Sequence, residues 1–389
     1  MKIVFLTNYL THHQVEFCDI LYNKTKGYFW LVSTRDVDQE QKKLGYRDLN
    51  SEYPYVLKLY ESEEIRKKVL LLCMEADVVI LGAAPLHFIK ERIKADKLTF
   101  IYTERIFKKG YIYALHPNSI RFMLRKYTVN RKKQQFYLCS SAYTASDINW
   151  YTHTPEKFFK WGYFPPRNEY RSFEEILPQK KNDVIEIVWA GRFIDWKHPE
   201  YVIQAAEILH HKGYKFHISM IGNGVCWENI QNSVTDELKE KIDFCGAVSP
   251  EEVRRIMEHA NIYLATSDFN EGWGAVVNEA MNSGCAVVAS HAMGAVPFLI
   301  KNNENGLIYR SGDVDNLSNA IQKLLDDCHL MEKLGKNAFN TIISEWNARV
   351  ATERFYSLCQ GLLLDKIAVT YKDGPCSVAP IIKNDWLKG

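Results

Sequence analysis

The run Ile262-Tyr-Leu-Ala-Thr-Ser-Asp-Phe-Asn-Glu271-Gly-Trp-Gly-Ala-Val-Val-Asn-Glu279-Ala-Met-Asn-Ser-Gly-Cys-Ala-Val-Val-Ala289 decides how this chain folds. It opens on an apolar stretch, 262–266, and crosses a polar loop that carries glycines. Helical pattern follows over 274–283, and a second apolar stretch closes the run at 285–289. Strand, loop, helix and strand in that order make one unit of a parallel α/β sheet.

The same alternation extends outward from this run. Upstream it predicts a strand over 185–190, a helix over 199–211, strands over 216–221 and 242–245, and a helix over 250–259; downstream, helical character covers 314–326, 329–344 and 347–364. An earlier series of short apolar runs, 2–6, 28–33, 77–81, 98–102 and 136–139, reads the same way. Between the two series, residues 164–183 hold Pro165-Pro166, Pro178 and Lys180-Lys181-Asn182-Asp183, the composition of a linker. A chain of 389 residues exceeds the ~250–300 at which a single core usually stops growing. The expected organisation is therefore a Rossmann-like domain over 1–168, a second over 169–346, and a helix with a tail over 347–389. Beyond 366 the tail carries little pattern.

Composition narrows the function classes. A formal net charge of +2 is too small for wholesale nucleic-acid binding. The nine cysteines include no CxxC pair, and several lie in apolar runs such as Cys285-Ala-Val-Val288, so they read as reduced core thiols of a cytosolic protein. Met1-Lys-Ile-Val-Phe-Leu6 reads as a first strand rather than a signal peptide, because Thr7-Asn8 ends the apolar run. No apolar stretch approaches the ~20 residues that span a bilayer, so any membrane contact is expected to be peripheral.

Chemistry concentrates where strands of the second series end, since ligands of open α/β sheets bind beyond the carboxyl ends of strands. Strand 185–190 runs into Gly191-Arg192-Phe-Ile-Asp-Trp-Lys197, which places a guanidinium and an ammonium on one loop, both suited to a diphosphate. Strand 216–221 runs into Gly222-Asn-Gly224, small enough for close backbone approach. Strand 262–266 runs into the loop 267–274, and the helix that follows offers its N-terminus to anions. Glu271 lies in that loop and Glu279 about one turn into the helix. Carboxylates repel a diphosphate, so their partners are expected to be hydroxyls, one on a ribose and one on a sugar. A nucleotide sugar supplies both. The plainer readings are solvated surface charges, a carboxylate favoured by the helix dipole and glycines that simply make turns. Trp196 and Trp273 read as packing residues or as an aromatic lip.

Taken together, Gly191-Arg192 with Lys197, the Gly222-x-Gly224 turn, Phe244-x-Gly246, and Glu271-x7-Glu279 followed by Ala280-Met281 and Gly284 resemble the retaining GT-B glycosyltransferases of family 4 over about 185–325. The resemblance implies an α/β fold of GT-B type, two Rossmann-like doubly wound domains facing each other across a cleft. It implies that Arg192 and Lys197 bind the donor diphosphate, Glu279 holds the ribose and Glu271 contacts the transferred sugar. The backbone around Ala247 and Val248 is expected to read the base, with Gly191, Gly222, Gly224, Gly272, Trp273 and Gly274 lining the donor. It also implies no cofactor and no metal. The triplets Asp36-Val-Asp38 and Asp313-Val-Asp315 lie away from this constellation in the sequence. One departure is Phe298 in Gly294-Ala-Val-Pro-Phe298, where family members often carry glutamate; it reads as a neutral variation in packing.

The first half resembles the family only loosely, as expected of the part that binds a variable acceptor. Thr7-Asn-Tyr-Leu-Thr-His-His-Gln14 is similar to bacterial surface-polysaccharide transferases. His12 is a candidate for the reacting site, with a helix-capping role as the plainer reading for it and for His13. Glu104, in Thr103-Glu-Arg105, stands where relatives place a histidine. It is expected to act there, to hydrogen-bond the acceptor, or simply to pair with Arg105 or Lys108. Residues 117–133 hold Arg121, Arg125, Lys126, Arg131, Lys132 and Lys133 among apolar residues and no acid. That pattern matches an interfacial helix drawn to anionic lipid, although a charged helix face is more often merely solvated.

The resulting expectation is a cytoplasmic, retaining, metal-independent hexosyltransferase, peripheral at the inner membrane face. It would move a sugar from a nucleoside-diphosphate-sugar to a glycan or lipid-linked acceptor for capsule, O-antigen or exopolysaccharide, and would bind no nucleic acid. The competing readings are a non-catalytic nucleotide-sugar-binding subunit and another GT-B enzyme such as an epimerase.

Overall fold

The computed structural model describes every residue except 38–47, 109, 168–169, 366 and 388–389, together with all side chains of the described elements but those of 111 and 113. Asp38 of the first acidic triplet and the domain boundary expected at 168–169 lie outside the described residues. Contacts divide the chain into two units, Met1–Pro166 with Asn347–Lys383, and Arg167–Trp346 with Asn384–Gly389.

The first unit is built on a parallel sheet of seven strands: β1 (Ile3–Thr7), β2 (Phe29–Ser33), β3 (Val56–Lys58), β4 (Val78–Leu81), β5 (Thr99–Thr103), β6 (Gln135–Cys139) and β7 (Phe158–Lys160). Their order is β3-β2-β1-β4-β5-β6-β7. Strands such as β1 and β4 are buried along their whole length, which is why they read as unbroken apolar runs rather than as alternation. The helix His12–Lys24 starts where the Gln14 side chain accepts from the Thr11 N–H, and it packs on the helix Ala348–Leu364.

The segment after that last helix is more ordered than its sequence suggests. Lys160 N–H donates to Ser377 O at 2.7 Å, while Cys376 N–H and Ala379 N–H donate to Lys160 O and Phe158 O at 2.8 Å. Residues 376–379 thus pair antiparallel with β7, and the edge of the sheet is covered. Asp373 anchors the approach by pairing with Lys160 Nζ at 2.6 Å.

The second unit holds a parallel sheet of six strands: β8 (Ile185–Ala190), β9 (Phe216–Ile221), β10 (Ile242–Gly246), β11 (Ile262–Ala265), β12 (Ala286–Ser290) and β13 (Leu307–Tyr309). Their order is β10-β9-β8-β11-β12-β13. Chain order therefore reverses between β8 and β11, whose register pairs Val188 with Tyr263. Helices Pro199–His211, Val314–Asp326 and Cys328–Ser344 bury their apolar faces against this sheet, closing a core around Val202, Leu209, Ile218, Leu264, Leu317 and Leu334. A crevice at the reversal point is where doubly wound sheets take ligands.

The basic segment differs from expectation in extent. The helix covers Pro117–Met123, one wider turn follows over Leu124–Thr128, and the chain then turns away instead of remaining helical to 133. Among the described residues no helix is long and apolar enough to cross a membrane.

Candidate donor site in the second unit

Four loops follow the adjacent strands β10, β9, β8 and β11, and backbone hydrogen bonds stitch them in that spatial order. Gly222 N–H donates to Gly246 O at 2.8 Å, Phe193 N–H to Asn223 O at 3.0 Å, and Asp268 N–H to Trp196 O at 2.9 Å. Close approach of this kind explains the glycines. Gly222 has φ +130°, and a Cβ there would fall 1.8 Å from Gly191 O; a Cβ on Gly224 would fall 2.3 Å from Phe193 O. Ala247 is exposed and Val248 half-buried beside the Gly222–Gly246 bond.

The loop after β11 is shaped by Asp268, whose Oδ1 accepts from Asn270 N–H at 2.8 Å to form an Asx turn. Glu271 N–H then donates to Asp268 O at 3.1 Å. Gly274 takes φ +90° just ahead of the helix Ala275–Asn282, and Glu271 Cγ lies 3.4 Å from where a Cβ on Gly274 would stand. The Glu271 side chain is thereby folded back over the helix N-terminus. Its carboxylate is paired with Lys197 Nζ, and Ser267 Oγ donates to it at 3.2 Å. Lys197 and Glu271 are each 15% exposed, so the pair is shielded but reachable. It bridges the loops after β8 and β11, across the reversal in strand order.

Arg192 stands exposed on the same loop as Lys197, its guanidinium 5.4 Å from the Trp196 ring in a cation–π contact. Glu279 is the fifth residue of its helix. Burial raises its pKa to about 7, and the Arg254 charge only partly offsets this. Both carboxylates act on one group, Tyr263, whose Oη donates to Ala190 O at 3.1 Å. Burial first, then Glu279 and Glu271, push that phenol up.

Trp273 takes the packing role, one of its two expected readings, and does not line the donor with its ring. Its side chain is fully buried, with Nε1 donating to Asn278 Oδ1 at 2.8 Å and the ring packed on Phe298 and Trp346. It offers no aromatic lip, and it serves the loop by fixing it from beneath. Phe298, at the family's glutamate position, completes this apolar trio: its ring stacks on Trp346 with centroids 6.2 Å apart. Gly272 and Gly274 are buried, while Gly191 is half-buried.

Sequence reasoning missed His198. It adopts φ 49°, uncommon outside glycine, and its ring nitrogens meet Glu200 Oε1 at 2.7 Å and Asp268 Oδ2 at 3.5 Å. Burial works against its charge, but hydrogen bonds to Asp268 and Glu200 outweigh burial and raise the pKa to about 9. A third cation is thus set at the base of the Lys197 loop, tied to the Glu271 loop. The His-Pro dipeptide at 198–199, opening a helix beside two carboxylates, was the available signal.

The first-unit candidates make their own contacts within that unit. Glu104 accepts from Tyr163 Oη at 2.6 Å and pairs with Lys108 Nζ at 2.7 Å, the partner anticipated in the plainer reading. His12 and His13 open the first helix with ring centroids 3.7 Å apart. Burial, then the His12 charge, lowers the pKa of His13 to about 3, and its ring stacks on Tyr163.

Residues 172–341 match the family model of the glycosyl transferases group 1. That stretch is similar to the group 1 glycosyltransferases. Among curated proteins, the chain is 25% identical over 191 residues to an uncharacterized glycosyltransferase, MJ1069, of Methanocaldococcus jannaschii, covering 49% of this chain and 48% of that one. It is 24% identical over 185 residues to the capsular polysaccharide biosynthesis glycosyltransferase CapM of Staphylococcus aureus, covering 48% of each. The chain spans about half the length of the curated relatives it matches. Among solved structures, Anabaena HepE in complex with UDP aligns with a TM-score of 0.69 at 16% identity, over 93% of this chain and 100% of that chain. Sucrose-phosphate synthase from Thermosynechococcus elongatus aligns with a TM-score of 0.63 at 16% identity, over 94% and 100%. These likenesses establish the GT-B fold, and the stretch matched by the family model lies in its second Rossmann-like unit.

Proposed function

We propose that the protein transfers a hexose-type sugar, with retention and without a metal, from a nucleoside-diphosphate-sugar to a glycan or lipid-linked acceptor in the assembly of a bacterial surface polysaccharide. The observation that carries this reading is the Lys197–Glu271 pair across the β8–β11 reversal, with Arg192 on the Lys197 loop and Glu279 in the helix that follows the Glu271 loop. Arg192, Lys197 and the N-terminus of the helix Ala275–Asn282 take the diphosphate, supplying the positive charge a metal would otherwise bring. Glu279 accepts from the ribose hydroxyls and Glu271 from the sugar, for which it exchanges part of its bond to Lys197. The backbone at Ala247 and Val248 reads the base. Acceptor binding belongs to the first unit, with His12 and Glu104 as the residues concerned.

In the transfer, the bond from the sugar anomeric carbon to the diphosphate oxygen breaks and a bond to the acceptor hydroxyl oxygen forms on the same face. The acceptor proton passes to the departing diphosphate, so positioning and charge stabilisation carry the catalysis. The site of action is the cytoplasmic face of the cell membrane. HepE is described with UDP, and CapM belongs to capsule synthesis, which supports the same donor and product classes here.

The test is hydrolysis or transfer of nucleoside-diphosphate-sugars by the purified chain. Release of sugar, lost in Glu279→Ala and in Lys197→Ala, is the expected result. A folded wild type inactive towards every donor and acceptor, while still binding donor, would favour the binding-subunit alternative.

A further inference from the structure

Between Glu104 and Asp147 the chain contains no acidic residue, although Lys and Arg recur throughout that interval. The structure shows what this stretch presents. Ala114, Met123 and Tyr127 are buried and hold it to the first unit. Tyr151 Oη donates to Ala114 O at 3.2 Å, Thr128 Oγ1 donates to Tyr151 O at 2.9 Å, and the Tyr127 ring rests 5.8 Å from that of Tyr137. Side chains between and on either side of these anchors are exposed. Ile112 is 75% exposed, Leu115 63%, Phe122 47%, Leu124 43% and Val129 73%. Arg121, Arg125, Arg131 and Lys132 are exposed among them. Lys157 extends the positive rim, donating to Arg131 O and Lys133 O at 2.7 Å. The border is marked by Asp96, which accepts from Gln134 N–H at 2.8 Å.

Single exposed apolar side chains are ordinary. Five of them on one short, anchored segment, with exposed cations in the same stretch and no acid between Glu104 and Asp147, make the composition of a surface that enters the headgroup layer of an anionic bilayer. A solvated basic face would have no use for Ile112 and Val129, and among the described side chains of the segment the exposed apolar ones are aliphatic apart from Phe122, where a nucleic-acid groove would offer several rings for stacking.

We propose that the segment from Ile112 to Lys132 is a lipid-inserting surface, with Ile112, Leu115, Phe122, Leu124 and Val129 seated among acyl chains and the arginines and lysines on anionic headgroups. Its biological meaning rests on the transferase reading above, because a lipid-linked acceptor lies in that layer. Its existence does not depend on the donor.

The test is co-sedimentation of the full chain with vesicles of phosphatidylcholine alone and of phosphatidylcholine mixed with phosphatidylglycerol, at low and high salt. The wild type is expected to partition at least about tenfold more strongly onto the anionic vesicles, since each cation near the surface contributes about a fivefold factor. Replacing Arg121, Arg125 and Arg131 together by Gln removes most of that preference. The triple change Ile112→Ser, Phe122→Ser, Val129→Ser weakens anionic binding by about tenfold or more and makes the remainder vanish at high salt. Thermal melting checks that each variant is folded, and the single changes Ile112→Ser and Val129→Ser, at the most exposed positions, serve if the triple variant is not.

Wild type left in the supernatant with anionic vesicles would overturn the proposal. So would unchanged binding by the apolar variants, or equally tight binding to a single-stranded oligonucleotide that those variants leave untouched. A donor-induced rise in melting temperature, measured in parallel, separates the two readings. Retained stabilisation by donor without vesicle binding sinks the membrane surface alone, and vesicle binding without donor stabilisation sinks the donor reading alone.

Discussion

Lys197 and Glu271 form an ion pair between the loops after β8 and β11, the two strands at which the second sheet reverses its order. Each side chain is mostly shielded, so removing one leaves the other's charge in a poorly solvated position. Lys197→Met is expected to weaken donor binding by about 2–3 kcal/mol, and Glu271→Gln by less. In a double-mutant cycle read by titration calorimetry the two changes should couple by about 1 kcal/mol or more. Strict additivity would mean that the pair plays no part in donor binding.

Gly222 sets the depth of the loop after β9. With φ +130° and Gly191 O in the space a Cβ would fill, Gly222→Ala must push the β8 and β9 loops apart. The expected loss is about 3 kcal/mol of stability or more, read by denaturant unfolding, together with donor binding. Gly246→Ala provides the contrast. It shares the left-handed φ, but nothing lies within 4 Å of its would-be Cβ, so its cost is backbone strain alone, about 1 kcal/mol.

Why some of this was legible in the sequence and some was not follows from particular residues. Strands β8, β9, β11 and β12 are four to six residues long, β11 and β12 buried throughout and β8 and β9 for the most part, so they stand out as apolar runs between helical stretches. The loops at their ends carry Gly222, Lys197 and Glu271 in an order that read directly as a donor site. Strands β3, β7 and β13 span three residues each, too few to show any period, and were not anticipated. The pairing of 376–379 with β7 was invisible because the partner edge, not the tail's own pattern, dictates it. His198 was missed because its partner Asp268 is distant in sequence. The direction of Trp273 was undecided because Phe298 and Trp346, which bury it, come together only in the fold.

Glu279 gives donor binding a pH dependence of definite sign. Its pKa stands near 7, so below that value the carboxyl is largely protonated and has one oxygen fewer to accept with. If the carboxylate takes the ribose hydroxyls, donor affinity should rise as pH rises from about 6 to 8 and then level off. The donor should be a nucleoside-diphosphate-sugar, whose diphosphate does not titrate in that range. Glu279→Gln should bind more weakly and without this dependence. A wild-type profile flat from pH 6 to 8 would remove Glu279 from the ribose site.

His198 affects stability at higher pH. Its folded pKa is raised to about 9 from an ordinary 6.5, so its contribution is fully present below about 6.5 and is lost as pH climbs through 9. The ring is partly open to solvent, which limits that contribution to roughly 1 kcal/mol. His198→Asn tolerates the left-handed backbone but cannot carry the charge. It should melt lower than wild type at pH 7 and match it near pH 10. A difference that persists unchanged at pH 10 would assign the effect to packing on Tyr201, 4.5 Å away, instead of to the charge.

A nucleoside-diphosphate-sugar site formed by the loops after β8, β9, β10 and β11 would bind its nucleotide with measurable stabilisation, which is read by melting the purified chain against a panel of nucleoside diphosphates and their sugars, each at saturating concentration. One base should raise the melting temperature of the wild type by several degrees, the equivalent of a few kcal/mol at about a hundred times Kd, and Lys197→Met should abolish the rise. A panel in which no nucleotide shifts a folded, cooperative transition would contradict the account.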